Sequence, residues 1–283
     1  MRRASLSVPL GQGSVSLAYG EWGRADHPKI LVCVHGLTRN SRDFDEIAAV
    51  LSADYRVICI DLPGRGDSGW LDNKADYALP SYIQACSGLL AHLGAHQIDW
   101  LGTSLGGLIG MSLAAMPGNP IRRLVLNDIG PFLPAQALRR IALSVGTDPR
   151  FDSLAEAEAF LRLSLVSFGI RRDAHWRQMA EASTRPDGQG RLRLHYDPGI
   201  AQVFAAAADQ LQDAVLWPLW AMIQCPTLVL RGAESDLLSA ETARQMTQCG
   251  PQAELLEFLG CGHAPALMEP DQIAPVRDWL LRP

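Results

Sequence analysis

Short runs of branched apolar residues recur along this chain, and stretches with helical periodicity separate them. The apolar runs occupy residues 30–34, 56–60, 98–101, 124–126, 227–230 and 253–258. Runs without polar alternation are typical of strands that are covered on both faces, as in a parallel sheet. The helical stretches occupy residues 44–51, 81–93, 104–116, 240–249 and 271–281. This alternation of strands and helices predicts a doubly wound α/β fold.

This pattern changes in two places, at the amino-terminal end and in the middle of the chain. Residues 5–10 and 14–21 alternate between apolar and polar side chains around Gly11-Gln12-Gly13, which predicts an amino-terminal β-hairpin. Between Leu126 and Thr227 the core pattern stops. The helical stretches in this interval occupy residues 134–145, 153–166, 173–182 and 200–209. A structureless loop of such length is improbable in a compact domain, so a mostly helical insertion is predicted.

Composition excludes several classes of function. The net charge of −5 and the scattered arginines give no electrostatic basis for binding nucleic acid or an anionic membrane. No uncharged apolar segment of roughly 18 residues is present, and the amino terminus lacks a signal-peptide pattern. The six cysteines form no CxxC pair, so neither a zinc site nor a disulfide framework is expected. The chain is predicted to be cytoplasmic.

A Gly-rich turn around Ser104 is the first motif with catalytic chemistry. Gly102-Thr103-Ser104-Leu105-Gly106 follows an apolar run and opens a helical stretch. A serine at such a strand-to-helix turn exposes its hydroxyl, and glycines prevent collisions in the turn. The pattern predicts Ser104 as a nucleophile. The alternative, a glycine turn with a capping serine, explains the strand and helix on either side less well.

Two further loops supply partners for a serine nucleophile. In His35-Gly36-Leu37, the N–H groups of Leu37 and of Leu105 are candidates for an oxyanion hole. We expect His35 to hold this loop by hydrogen bonds, with direct substrate contact as the alternative. His263 lies in a Gly-flanked loop between the last strand and the last helix, and imidazole is suited to remove a serine proton near neutral pH.

Three carboxylates compete for the role of orienting His263. Asp236 follows the strand that precedes the histidine strand, and it is the preferred acid. Asp128 ends the strand before that and could also reach an imidazole. It is favoured instead as a hydrogen-bonded anchor at the point where the insertion leaves the sheet. Glu234 is a lesser alternative that is expected to face solvent.

The ordered motifs resemble those of the α/β-hydrolase superfamily. The motifs are His35-Gly36, Asp61-x-x-Gly64-x-Gly66-x-Ser68, Gly102-x-Ser104-x-Gly106, Asp236 and Gly262-His263. The chain looks like the serine esterase and C–C hydrolase branch of this superfamily, whose members have the order nucleophile, acid, histidine. The resemblance implies a mostly parallel eight-stranded sheet over residues 1–130 and 222–283, with an inserted helical cap at 131–221. Epoxide hydrolases and haloalkane dehalogenases of the superfamily have Asp at the nucleophile position, and Ser104 argues against both.

The implied activity is cofactor-free acyl transfer to Ser104, without a metal. A small carboxylic ester is the first expected substrate, with a lactone close behind. The alternatives are a C–C bond beside a ketone in a ring-cleavage product, a perhydrolase side activity, and a ligand-binding receptor without turnover. Besides His35 and Asp128, Trp176 and Trp217 are candidates for substrate binding. Aromatic residues of the insertion are equally suited to pack it against the core.

Overall fold

An eight-stranded, mostly parallel sheet forms the centre of the molecule in the computed structural model of the chain. The structure describes residues 1–11, 13–205 and 211–283, so Gln12 of the predicted hairpin turn lies outside it. In chain order the strands are β1 (Arg2–Leu10), β2 (Gly13–Trp22), β3 (Ile30–Val34), β4 (Arg56–Ile60), β5 (Ile98–Thr103), β6 (Ile121–Asn127), β7 (Phe132–Leu133), β8 (Arg150–Phe151), β9 (Thr184–Pro186), β10 (Leu192–Leu194), β11 (Ala214–Val215), β12 (Thr227–Gly232) and β13 (Glu254–Phe258).

The order of the large sheet is β1-β2-β4-β3-β5-β6-β12-β13. Strand β2 is antiparallel to both of its neighbours. The six strands that follow it in the sheet, β4, β3, β5, β6, β12 and β13, pair in parallel. The predicted fold class is therefore confirmed. The carboxyl ends of the parallel strands meet at one edge of the sheet, which is where binding sites of such folds form.

Helices cover both faces of this sheet. In chain order they are α1 (Asp45–Leu51), α2 (Leu79–Leu93), α3 (Leu105–Ala114), α4 (Ala135–Ser144), α5 (Leu154–Ser164), α6 (Asp173–Ser183), α7 (Ala201–Ala205), α8 (Trp217–Trp220), α9 (Ala240–Met246) and α10 (Pro270–Leu280). The β3 side chains alternate between two apolar clusters: Leu31 and Cys33 pack on the side of α1 and α10, and Val32 and Val34 on the side of α2 and α3. Both faces of β3 are buried, which explains its unbroken apolar sequence.

Residues 131–221, which we call the cap segment, leave the sheet after β6 and return before β12. In the described part of this segment, none of the strands joins the large sheet. Helices α4 to α8 dominate it, and two small antiparallel sheets, β8-β10-β9 and β7-β11, accompany them. The helix predicted at 200–209 begins as α7, and residues 206–210 lie outside the described residues. The division into a core and a separate cap domain stays a prediction.

Candidate active site

Ser104 occupies a strained turn between β5 and α3. Its backbone has a φ of 52° and a ψ of −113°, a conformation that non-glycine residues rarely adopt. The neighbouring glycines leave no room for side chains. A Cβ on Gly102 would lie 2.2 Å from the carbonyl oxygen of Gly106, and a Cβ on Gly106 would lie 2.0 Å from that of Val34. The predicted strand–turn–helix around Ser104 is present.

His263 joins Ser104 to a carboxylate. Its Nε2 lies 3.0 Å from the hydroxyl oxygen of Ser104, and its Nδ1 lies 2.7 Å from Oδ2 of Asp128. An ionised carboxylate only accepts hydrogen bonds, so Nδ1 carries the proton in this arrangement. Nε2 is then free to accept the serine proton, which is what activation of a serine nucleophile requires.

Asp128 is completely buried at the end of β6. Besides His263, it accepts hydrogen bonds from the backbone N–H of Gly232 at 2.8 Å and from the hydroxyl of Ser235 at 2.5 Å. A buried carboxylate is costly unless donors surround it, and these three donors meet that requirement. The carboxylate is thereby fixed in the position that orients the imidazole.

The structure corrects the expected position of Asp236. After β12 the chain alternates in burial: Glu234 and Asp236 are exposed, and Ser235 between them is buried. Ser235 therefore faces Asp128, whereas Asp236 points outward to Arg140. Asp236 accepts from Nε and Nη2 of Arg140 at 2.5 and 2.8 Å, and no hydrogen bond joins it to His263 within the described residues. Glu234 faces solvent, as expected.

The loop that holds His263 is fastened by residues that the sequence did not point out. The hydroxyl of Ser167 donates to the carbonyl of His263 at 2.9 Å, and the N–H of Gly262 donates to the carbonyl of Ser167 at 2.7 Å. Asn127 donates to the carbonyl of Pro265 at 2.9 Å. The cap segment and the end of β6 thus both position the imidazole.

The loop after β3 passes close to Ser104. A Cβ on Gly36 would lie 3.7 Å from the Cβ of Ser104. Within the described residues, the N–H groups of Leu37 and Leu105 donate no hydrogen bond to another backbone or side-chain group. Both groups are therefore available to a ligand atom beside Ser104, as an oxyanion hole requires.

His35 is a buried support of this loop and is not part of the cavity wall. Its Nδ1 donates to the carbonyl of Gly36 at 2.7 Å, and its Nε2 accepts from the N–H of Leu62 at 3.0 Å. Burial lowers the pKa of His35 to about 3, so the ring is neutral near pH 7. Arg65 adds a hydrogen bond of 2.8 Å to the carbonyl of Leu37. Of the two roles considered for His35, the structure agrees with loop support and not with direct substrate contact.

A cavity of about 150 Å³ opens beside Ser104 and His263. Apolar side chains such as Phe168 form part of its wall, and hydroxyl groups and charged groups form the rest. The polar residues of the wall are Thr38, Arg39, Asp43, Thr103, Arg140, Ser144, Ser164 and Ser167. A second cavity of about 120 Å³ adjoins it and continues toward Phe160 and Tyr196 in the cap segment. A larger hollow of about 700 Å³ lies at the end of α3, away from Ser104.

Comparison with known proteins assigns this chain to a family. The model of the alpha/beta hydrolase family matches residues 31–276. The chain belongs to the alpha/beta hydrolase family. The prediction of an enzyme of the α/β-hydrolase kind is confirmed, and relatives named for ester cleavage support its ester-acting branch.

Two relatives and one solved structure show which proteins this hydrolase is similar to. The chain is 43% identical over 264 residues to a 3-hydroxybutyrate-oligomer hydrolase of Cupriavidus necator, covering 91% of this chain and 90% of that protein. It is 29% identical to a pimeloyl-[acyl-carrier protein] methyl ester esterase of Vibrio cholerae, covering 88% of this chain and 92% of that protein. The crystal structure of an alpha/beta hydrolase from Novosphingobium aromaticivorans has a TM-score of 0.85 and 35% identity, covering 98% of each chain.

The tryptophans expected to bind substrate in this hydrolase lie elsewhere. Trp176 is buried, and its ring packs under the guanidinium of Arg162 at 5.4 Å. Trp217 packs against the larger apolar cluster, and neither ring lines the cavity beside Ser104. Asp128 is not on the cavity wall either, because it lies behind His263. Both tryptophan side chains therefore make packing contacts, the other role considered for aromatic residues of the insertion.

Two structural findings bear on cofactors and membranes. Within the described ranges, no group of three or more His, Cys, Asp and Glu side chains is placed to hold a metal ion. No helix of the described chain has both the length and the apolar character needed to cross a bilayer.

Proposed function

We propose that this hydrolase cleaves short carboxylic esters of hydroxy acids, with Ser104, His263 and Asp128 as its catalytic triad. The observation that carries the proposal is the continuous path of hydrogen-bond distances, 3.0 Å from Ser104 to His263 and 2.7 Å from His263 to Asp128. The order of nucleophile, acid and histidine along the chain is kept with Asp128 in the place of Asp236.

The reaction proceeds in two halves. His263 takes the proton of Ser104 while the serine oxygen attacks the ester carbonyl, and the N–H groups of Leu37 and Leu105 stabilise the oxyanion. His263 then gives the proton to the departing alcohol oxygen, and an acyl-enzyme forms. Water, deprotonated by His263, attacks the acyl-enzyme, and the acid leaves as the proton returns to Ser104.

The substrate class follows from the cavity and from the relatives. A cavity of about 150 Å³ suits a short acyl group, and the hydroxyls of Thr38, Ser144 and Ser164 can form hydrogen bonds with a hydroxylated chain. The relative at 43% identity is named for hydrolysis of 3-hydroxybutyrate oligomers, which are esters of this kind. Residues 131–221 act in this proposal as a cap, since Ile141, Ser164 and Phe168 form part of the wall over Ser104.

The test is hydrolysis of the linear 3-hydroxybutyrate dimer by the wild type, Ser104→Ala and Ser112→Ala. We expect Ser104→Ala to lose at least ~10³-fold in kcat. Ser112→Ala is the matched control, because that hydroxyl bonds within α3 to the carbonyl of Leu108 at 2.8 Å. Wild-type turnover by Ser104→Ala would exclude the proposed nucleophile. A wild type that cleaves a lactone or a vinylogous diketone, but not the dimer, would exclude the proposed substrate class.

A further inference from the structure

Arg140 extends from α4 of the cap segment to the wall of the cavity beside Ser104. Its Nε and Nη2 donate in parallel to the two oxygens of Asp236 at 2.5 and 2.8 Å. This bidentate arrangement is the geometry in which a guanidinium binds a carboxylate. Asp236 itself is not on the cavity wall. Arg140 therefore lines the substrate space, and its guanidinium binds a carboxylate that lies outside the cavity wall.

The pair of Arg140 and Asp236 is accessible to exchange. Their side chains are 52% and 49% exposed. Ion pairs with this exposure contribute little to stability, because water solvates both charges nearly as well. A substrate carboxylate in the cavity can therefore bind the guanidinium beside Asp236, or in place of Asp236, with little loss of free energy.

The other charged side chains of the cavity wall are already committed. Arg39 donates to both oxygens of Asp43 at 2.9 and 2.7 Å, and this pair is largely buried. Both members lie on the wall, so their charges cancel there. Among the described wall residues, Arg140 is the cation whose partner is solvent-exposed and stands outside the cavity.

We propose that Arg140 is a binding site for the free carboxylate of a linear ester, so that this hydrolase selects esters that end in an acid group. This inference rests on the proposed function and deepens it. A hydroxy-acid oligomer has one such carboxylate at its end. Binding it at Arg140 orients the chain and brings an ester carbonyl to Ser104. Asp236 competes for the guanidinium, and this competition weakens the binding of small stray anions.

The experiment compares two substrates with the same ester bond. One is the linear 3-hydroxybutyrate dimer, and the other is the same dimer with its terminal carboxylate converted to a primary amide. The measured quantity is the ratio of kcat/KM for the acid to kcat/KM for the amide. We expect Arg140→Gln to lower this ratio about tenfold, mainly through the KM of the acid.

Arg139→Gln is the matched control. Arg139 is the preceding residue of α4, but it donates to the carbonyl of Leu211 at 2.8 Å and does not line the cavity. We expect it to keep the wild-type ratio. Asp236→Asn tests the competition, and it should raise the ratio a few-fold because it removes the rival carboxylate. General damage to the cap segment would lower turnover of both substrates and would not produce this rise.

A binding measurement separates this proposal from the proposed function. In a Ser104→Ala background, titration calorimetry gives the Kd of the intact acid and of the amide without turnover. We expect the acid to bind about tenfold more tightly than the amide, and Arg140→Gln in the same background to remove that difference. Equal binding of acid and amide, or an unchanged ratio in Arg140→Gln, would overturn the carboxylate site. Tighter binding of the acid together with no cleavage of either substrate by the wild type would overturn the proposed function alone.

Discussion

The loops that follow β6 and β12 lie at the same edge of the sheet, and each presents an aspartate. Asp128 in the first loop is fully buried and accepts three hydrogen bonds, one of them from His263. Asp236 in the second loop is half exposed and pairs with Arg140. Position at the sheet edge therefore does not decide which carboxylate forms a hydrogen bond with the imidazole of His263. Burial and the direction of the side chain decide it.

The difference between the two loops has a local cause. Ser235 occupies the inward-facing position after β12, and its hydroxyl donates to Asp128. Asp236 follows it in the same turn, and its side chain is exposed and points outward. The second loop thus contributes a neutral donor to the site, and the first loop contributes the charge.

The largest expected effect comes from exchanging the two carboxylates for amides. Asp128→Asn should lower kcat by ~10³- to 10⁴-fold, because an amide beside Nδ1 favours the wrong tautomer of His263. Asp236→Asn should lower kcat on a neutral p-nitrophenyl ester by less than about threefold. Both variants are compared at one pH, with circular dichroism to verify folding. If Asp236→Asn is the inactive one, Asp236 is the acid and the comparison between the loops fails.

The second prediction extends the comparison to a buried group that faces away from the cavity. The pKa of His35 is lowered to about 3 by burial, against about 6.5 in the unfolded chain. Between these values the unfolded chain binds a proton that the folded protein does not. The free energy of unfolding therefore decreases as the pH falls below 6.5. This group alone should lower it by about 2 kcal/mol between pH 7 and pH 5.

Urea unfolding at both pH values measures this effect in the wild type and in His35→Gln. The variant, which cannot titrate at this position, should lose about 2 kcal/mol less than the wild type over the same interval. His92→Gln, on an exposed position of α2, is the control and should retain the wild-type dependence. Equal pH dependence in His35→Gln and the wild type would show that the imidazole is not held neutral by burial.

The smallest expected effect distinguishes two serines of the second loop. Ser235→Ala removes one donor from Asp128 and should lower kcat about tenfold. Ser239→Ala removes the N-terminal cap of α9, where its hydroxyl accepts from the N–H of Thr242 at 3.0 Å. This variant should lose about 1 kcal/mol of stability and keep its kcat. Kinetics and urea unfolding of both variants check the prediction, and a kcat loss in Ser239→Ala alone would contradict it.

The sequence predicted the parts of the fold whose signal is local. The runs at 30–34 and 56–60 coincide with β3 and β4, because both strands are buried on both faces. Helix α2 ends before Gly94, whose φ of 60° suits a glycine. The strands of the cap segment have only two or three residues, which is too short for any periodicity. They could not have been predicted from the pattern.

The choice of the acid could not be made from chain order. Asp128 and Asp236 both follow parallel strands, and both lie between Ser104 and His263 in the sequence. Local composition does not separate the two either, because a polar residue precedes each aspartate and an apolar residue follows it. The contacts of Ser167 and Asn127 with the His263 loop depend on packing between distant segments, and no short pattern encodes them.

The turn at Val166–Phe168, part of the inserted segment, has a consequence for how such enzymes diversify. Exchanging the segment between relatives is a direct route to new specificity, but this turn also fastens the loop of His263 through Ser167. A graft that replaces this turn would move the proposed general base, His263, and would change the pocket at the same time. Swaps that retain residues 166–168 and vary α4 and α5 should keep the proposed triad in place. The part of the insertion that can vary without disturbing the His263 loop is therefore shorter than the whole insertion.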